Sequence, residues 1–309
     1  MKVFIATSTF GDFSNESIDH LRQNELDVCM NKLGRKLTDN ELIKFAAKCD
    51  GIIAGTENYS RPVLERLPHL KVISRLGIGM DNIDIEAAKE REISVYKTIT
   101  SPAPAVAELT LGLMLDVARA ISEHTQSIKS GIWQKKVGIL LQGKTLGIIG
   151  LGVIGKTLVH LAKGFNNTII AYDICHDERF ATENRVTYCN LNQLLLESDI
   201  VSIHLNLTKN NIGLISEELI ETMKPGSILI NTSRGQIVDE VGLFKALKEK
   251  RILGAGLDVF GKEPYSGPLT ELENVVLTPH IGGYAEKVRT QMEIEAAQNL
   301  VKGLLLDEK

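Results

Sequence analysis

Three polar side chains of complementary chemistry follow predicted strands in the C-terminal half of the chain. Arg234 follows the apolar segment SILIN, Glu263 lies in the loop after GAGLD, and His280 follows VVLTP. An imidazolium can give a proton to a carbonyl oxygen, and a neutral imidazole can take it back. A carboxylate next to an imidazole favours its charged form, and a guanidinium suits a substrate carboxylate. We therefore interpret the three as candidate catalytic residues, although each alone is also typical of a surface ion pair or a turn.

A glycine-rich segment precedes them. Gly150, Gly152 and Gly155 have G-x-G-x-x-G spacing between an apolar run and a helix-like segment, and a second apolar run ends at Asp173. This order of strand, turn, helix, strand and acid is the context that a dinucleotide-binding turn requires. The first glycine permits the sharp turn, the second lets a pyrophosphate approach, and the third lets the helix pack on the sheet. The alternative is a glycine-rich turn in some other α/β domain.

The acid at the end of the second run indicates which dinucleotide binds. Asp173 can accept hydrogen bonds from the ribose hydroxyls, whereas a 2′-phosphate would meet a like charge. Ile174 follows it in place of an arginine. The sequence therefore predicts NAD as the cofactor.

Composition excludes several classes of function. A net charge of −4 lacks the concentrated positive field that nucleic acids or membrane surfaces attract, so neither partner is expected. No apolar run approaches the length of a membrane span. The four cysteines form no C-x-x-C pair, which favours a cytoplasmic protein with free thiols, and no His/Cys cluster predicts a metal site.

Alternating strands and helices predict an α/β protein with two doubly wound parallel-sheet domains. A segment from Pro104 to about Lys129 is rich in Leu, Ala and Met, and we interpret it as one long, buried helix that follows the domain boundary. Before it, the loop from Arg75 to Asn82 contains Gly77 and Gly79. Its backbone N–H groups can hold a carboxylate, although an ordinary strand-to-helix turn fits the spacing equally well.

These features together resemble the D-isomer-specific 2-hydroxyacid dehydrogenases, and most closely their phosphoglycerate dehydrogenase branch. The resemblance covers most of the chain in the family's order. The matching segments are RLGIGMDNID (75–84), VAELTLGLML (106–115), LQGKTLGIIGLGVIGKTL (141–158), MKPGSILINTSRG (223–235), GAGLDVFGKEP (254–264) and TPHIGG (278–283).

The resemblance implies roles for these residues. Arg234 would bind the substrate carboxylate and carbonyl, His280 would be the general acid/base, and Glu263 would be its partner. Asp258 would contact the nicotinamide carboxamide. The implied cofactor-binding set is Gly150, Gly152, Val153, Ile154, Gly155, Asp173, Thr232, Ser233, Asp258, Gly282 and Gly283. The implied substrate-binding set is Arg75, Gly77, Ile78, Gly79 and Arg234.

The resemblance also implies a domain organisation. A flavodoxin-like substrate domain would comprise residues 1–98 and 285–309, and a Rossmann NAD-binding domain would comprise residues 99–284. The two domains would enclose a cleft that closes to exclude water. A homodimer would form on the long helix and the segment around Trp133. The short form implies no C-terminal regulatory domain.

The implied reaction interconverts a small D-2-hydroxy acid and its 2-keto acid. The leading substrate is 3-phosphoglycerate, as in serine biosynthesis, and the alternatives are a glyoxylate/hydroxypyruvate reductase and a D-lactate-type reductase. One departure concerns the phosphate. The loop after GIIAG usually carries a basic residue in the phosphoglycerate branch, and here it reads Thr56-Glu57-Asn58. The rival from another class is an NAD(H)-sensing interaction protein.

Overall fold

The computed structural model describes residues 1–306 and divides into two compact units. Unit 1 comprises Met1–Pro102 and the segment that begins at Tyr284, and unit 2 comprises Ala103–Gly283. Each unit is built on one parallel sheet, so the predicted fold class is confirmed. The predicted end of the first domain at residue 309 lies outside the described residues. The assignment of substrate binding to one range and cofactor binding to the other stays a prediction.

Unit 1 has five parallel strands in the order β2-β1-β3-β4-β5, which is the flavodoxin-like order. The strands are β1 (Lys2–Ile5), β2 (Asp27–Met30), β3 (Gly51–Ala54), β4 (Val72–Arg75) and β5 (Ser94–Lys97). The helices are α1 (Glu16–Gln23), α2 (Asp39–Ala46), α3 (Arg61–Leu64), α4 (Ile85–Glu90) and a C-terminal helix (Glu286–Leu306).

Both faces of this sheet are buried, which explains the continuous apolar character of its strands. Phe4 packs with residues of α2, α3 and α4 on one face. Val3 and Ile5 point to the other face and pack with α1 and the C-terminal helix. The sheet is therefore a rigid support for the loops at its carboxyl edge.

Unit 2 has seven parallel strands in the order β12-β11-β10-β9-β6-β7-β8. The strands are β6 (Thr145–Ile149), β7 (Thr168–Tyr172), β8 (Val186–Tyr188), β9 (Ile200–Ile203), β10 (Ile228–Asn231), β11 (Gly254–Leu257) and β12 (Val275–Leu277). The helices are α5 (Ala103–Arg119), α6 (Ile121–Lys129), α7 (Val153–Ala162), α8 (Glu178–Asn184), α9 (Leu191–Glu197), α10 (Glu217–Thr222) and α11 (Glu240–Lys248).

The order of the unit 2 strands is that of a dinucleotide-binding sheet with one added strand. Chain order reverses between β6 and β9, which are paired neighbours. In such sheets ligands bind beyond the carboxyl ends of the strands at this point. The glycine-rich turn follows β6, so it lies at this position. Among the described residues, no helix combines the length and apolar character that crossing a bilayer requires.

The prediction of one long helix was wrong. α5 ends at Arg119, Ala120 adopts a left-handed conformation with φ 50°, and α6 begins at Ile121. The Asp116 side chain accepts hydrogen bonds from the N–H and hydroxyl of Ser122, which fixes the new helix start. The apolar character of the sequence also ends near Arg119, and α6 has no buried residue. The amino-acid composition averaged over residues 104–129 does not show this change.

Candidate active site

The turn between β6 and α7 has the geometry that its glycines permit. Gly150 has φ +98°, and a Cβ there would lie 2.8 Å from the His204 carbonyl. A Cβ on Gly155 would lie 2.4 Å from the Gly150 carbonyl oxygen, so a side chain would force α7 away from the sheet. In contrast, a Cβ on Gly152 would meet nothing within 4 Å. The N-terminus of α7 therefore faces open space, where its N–H groups can bind a pyrophosphate.

Asp173 lies beside this turn. Its Oδ2 accepts a hydrogen bond from Leu151 N at 2.7 Å, and its Oδ1 accepts one from Cys175 N at 2.9 Å. A carboxylate has further lone pairs, so it can still accept from two ribose hydroxyls. Val153 and Ile154 begin α7 directly after the turn, and Ile174 follows Asp173. Ile154 is half-buried, and Val153 and Ile174 are exposed. These residues fit the adenosine and pyrophosphate parts of a dinucleotide.

The turn after β10 is held by internal hydrogen bonds. Asn231 Oδ1 accepts from the N–H and hydroxyl of Ser233, and its Nδ2 donates to the Arg234 carbonyl at 2.9 Å. Thr232 and Thr110 share a hydrogen bond of 2.9 Å between their hydroxyls. The Ser233 and Thr232 hydroxyls, both predicted to line the cofactor, are therefore engaged within the protein.

The loop after β11 packs directly on the Arg234 turn. A Cβ on Gly235 would lie 1.9 Å from the Phe260 carbonyl carbon and 2.3 Å from Gly261 N. Phe260 N in turn donates to Glu263 Oε1 at 3.2 Å. Arg234 NH1 donates to the Ser233 carbonyl at 2.8 Å. The structure thus brings together the segments that carry Arg234 and Glu263, which are far apart in sequence.

Glu263 also contacts His280. His280 Nδ1 lies 3.0 Å from Glu263 Oε2 and 3.2 Å from Oε1. His280 has φ 57°, a left-handed conformation that is rare for residues other than glycine and that is held here by the surrounding loop. Its side chain is 33% exposed, and that of Glu263 is 19% exposed. Because Nδ1 faces the carboxylate, Nε2 is the ring nitrogen that remains to exchange a proton with a ligand.

Asp258 holds the His280 loop in place. The carboxylate is 1% exposed and accepts hydrogen bonds from Thr278 Oγ1 at 2.6 Å, Ile281 N at 2.8 Å and Gly282 N at 2.8 Å. Burial raises the pKa of Asp258 and outweighs these hydrogen bonds and the nearby His280, which lower it. Thr278 and Asn231 were not among the predicted site residues. In the sequence, each of them can be recognised as a polar residue at the end of an apolar strand.

The predicted substrate-binding residues of unit 1 lie in the loop after β4. Arg75 is 8% exposed, and it donates from NH1 to the Leu76 carbonyl and from Nε to Asn82 Oδ1 at 3.3 Å. Gly77 has φ +143°, and its N–H donates to Thr98 Oγ1 at 3.1 Å. Ile78 is exposed and Gly79 is half-buried. The Arg75 side chain and the Gly77 N–H are therefore engaged in contacts within unit 1, whereas Ile78 reaches the surface.

No group of three or more His, Cys, Asp or Glu side chains within residues 1–306 has an arrangement that can hold a metal ion.

Known proteins share this sequence and fold. Residues 111–282 match the family model described as D-isomer specific 2-hydroxyacid dehydrogenase, NAD binding domain. A hydroxypyruvate reductase of Thermotoga maritima is 39% identical over 298 residues, which cover 93% of this chain and 96% of that protein. A D-3-phosphoglycerate dehydrogenase of Archaeoglobus fulgidus is 36% identical over 98% of this chain and 58% of that protein.

A solved structure agrees with these matches. The crystal structure of the TT0316 protein of Thermus thermophilus superposes with a TM-score of 0.88 at 34% identity, and the match covers 99% of this chain and 97% of that one. The chain therefore belongs to the D-isomer-specific 2-hydroxyacid dehydrogenase family, and its cofactor is NAD(H).

Proposed function

We propose that the protein interconverts a small D-2-hydroxy acid and its 2-keto acid with NAD(H). The observation that carries the proposal is the His280–Glu263 pair, at 3.0 Å, on loops at the carboxyl edge of a dinucleotide-binding sheet. This pair can exchange a proton with a substrate oxygen, which is the proton transfer that the reaction needs.

The protein residues have separate parts in the reaction. The glycine turn and Asp173 would hold NADH, which would supply the hydride that reduces the keto acid. His280 donates the proton from Nε2 to the carbonyl oxygen, and it takes that proton back in the reverse direction. Glu263 stabilises the imidazolium and fixes the tautomer through Nδ1. The charge of Arg234 stabilises the negative charge that grows on the carbonyl oxygen, and its fork binds the substrate carboxylate.

The loops of unit 1 bear on the identity of the substrate. The sequence-based first choice was 3-phosphoglycerate, with hydroxypyruvate, glyoxylate and D-lactate types as alternatives. In unit 1 we propose that the loop of Gly77, Ile78 and Gly79 binds the substrate carboxylate. Arg75, the basic residue of that loop, is buried and donates to Leu76 and Asn82. This geometry favours a substrate without a phosphate.

An exposed apolar surface supports assembly as a homodimer. α6 has no buried residue, and Ile121 and Ile128 are each 51% exposed. In the segment that follows, Trp133 is 82% exposed and Val137 is 98% exposed. Exposed apolar side chains concentrated in one segment of a chain are typical of protein interfaces. We propose that a second copy of the chain covers it, and that the protein, whose four cysteines are free thiols, acts in the cytoplasm.

The test is the oxidation of NADH, followed by absorbance, with hydroxypyruvate, glyoxylate, pyruvate and 3-phosphohydroxypyruvate. We expect turnover with at least one of them, and the D enantiomer of every chiral product (all except glycolate). Binding of NADH without turnover on any keto acid would contradict the proposal and support the NAD(H)-sensing alternative.

A further inference from the structure

The loop after β3 buries a carboxylate. Glu57 is 2% exposed, and its Oε2 has no hydrogen-bond partner among the described residues. A Cβ on Gly55 would lie 2.7 Å from this oxygen, so the carboxylate packs against the backbone of its own loop. Burying a carboxylate oxygen that has no hydrogen-bond partner is unfavourable. The burial of Glu57 therefore has a cost in electrostatic free energy.

Asn82 joins this loop to the loop after β4. Its Nδ2 donates to the carbonyl oxygens of Glu57 at 2.6 Å and Gly55 at 3.1 Å, and its Oδ1 accepts from Arg75 Nε at 3.3 Å. Tyr59 is fully buried beside them, and its hydroxyl has no hydrogen-bond partner within residues 1–306. Burial raises the pKa of Tyr59, the Glu57 carboxylate raises it further, and Arg75 opposes both. Glu57 and Arg75 thus both influence the pKa of the buried Tyr59, with opposite signs.

The buried positive charges of unit 1 are matched in number by buried negative charges. Arg75 packs over Gly77, where a Cβ would lie 2.8 Å from NH1. Arg289 is 5% exposed and pairs with the buried Glu293 at 2.8 Å, and it donates to Thr7 at 3.2 Å. Among the described residues of unit 1, the buried charged side chains are Glu57, Arg75, Arg289 and Glu293. The buried part of unit 1 that the structure describes therefore has two cations and two anions and offers a phosphate no net positive charge.

We propose that Glu57 makes unit 1 select 2-keto acids whose distal group carries no negative charge, and so excludes phosphorylated substrates. The inference rests on the proposed function, because it takes Gly77, Ile78 and Gly79 as the binding site of the substrate carboxylate. Ala54 pairs with Arg75 in adjacent parallel strands, so the Glu57 loop lies beside that site. A distal phosphate of about −1.5 to −2 charge that entered the region of this loop would be repelled by the Glu57 carboxylate, and a low dielectric strengthens such a repulsion. In this proposal Glu57 acts through the electrostatic field of its charge and does not contact the substrate.

Calorimetric binding of D-glycerate and D-3-phosphoglycerate to the full-length protein with NADH, which cannot accept a hydride from either acid, tests this inference. Wild type is expected to prefer D-glycerate. Glu57→Gln removes the charge at nearly constant volume, and we expect it to shift the ratio of the two dissociation constants at least tenfold towards D-3-phosphoglycerate. Glu57→Asp keeps the charge and should keep the wild-type preference. Glu65→Gln removes an exposed charge of the same unit and should change nothing.

The outcomes separate this inference from the proposed function. If Glu57→Gln leaves the ratio of the two dissociation constants unchanged, the proposed role of Glu57 is overturned. A preference of the wild-type protein for D-3-phosphoglycerate also overturns it, and that measurement does not depend on the folding of a variant. Binding of neither ligand to wild type overturns this inference, whereas the reductase function is decided by the keto-acid assay. A shifted ratio in a protein that reduces no keto acid supports the charge selection and overturns the reductase function alone.

Discussion

Replacing Glu263 by glutamine removes the charge next to His280 and keeps the shape of the side chain. The amide oxygen can still accept a hydrogen bond from Nδ1, so the ring is expected to keep its position. The variant loses the attraction between a carboxylate and the imidazolium that donates the proton. Two unit charges about 4 Å apart attract by about 4 kcal/mol at an effective dielectric constant of about 20.

Solvent reduces this value. The His280 and Glu263 side chains are 33% and 19% exposed, so we take about half, or about 2 kcal/mol. At 1.36 kcal/mol per factor of ten, this predicts a loss of about 30-fold in kcat/KM for reduction of the keto acid. The assay is the steady-state oxidation of NADH, with NADH affinity measured separately and expected to be unchanged. Glu273→Gln, an exposed glutamate of the same unit, is the control. A Glu263→Gln rate within twofold of wild type would refute the reasoning.

Three further predictions concern unit 2. Asp173→Ala should weaken NAD binding and reduce discrimination against NADP, because the repulsion of a 2′-phosphate is lost; an unchanged ratio of NAD to NADP affinity would contradict this. Gly155→Ala should abolish NADH binding and lower the melting temperature, since its Cβ would lie 2.4 Å from the Gly150 carbonyl oxygen, and normal binding would contradict the close packing. Burial lowers the pKa of His204 to about 3 in the folded protein, below the value of about 6.5 in the unfolded chain. The folded state therefore has its full stability above pH 6.5, and it loses stability as the pH falls from 6.5 towards 3. Unfolding free energy should fall by about 2 kcal/mol between pH 7.5 and pH 5, and His204→Gln should lose this dependence.

The elements with local signals were predictable from sequence. A capping box of Thr38 and Glu41 starts α2, and this signal can be recognised in the sequence because its two partners lie only three positions apart. The elements that were not predicted depend on tertiary context. β2 and β8 are short edge strands, each paired on one side only, and α1 buries only Ser17, Ile18 and Leu21. In such elements the contacts with the neighbouring strand or helix outweigh local propensity.

The candidate site shows the same division. The glycine turn and Asp173 lie within one strand–helix–strand segment, so spacing alone places them together. The convergence of Glu263 and His280 followed from the rule that parallel strands end at one edge. No rule of spacing predicts that Asp258 accepts hydrogen bonds from Thr278, Ile281 and Gly282, because these depend on the path of a loop with a left-handed His280.

The most direct test of the central claim is the comparison of His280→Ala with wild type in keto-acid reduction and in NADH binding. General acid–base catalysis contributes about 10²- to 10⁴-fold, so we predict a loss of that size in turnover with NADH affinity unchanged. His69→Ala, which changes an exposed histidine of unit 1, should behave as wild type. A His280→Ala variant that reduces keto acids at a near-normal rate would contradict the role of the His280–Glu263 pair.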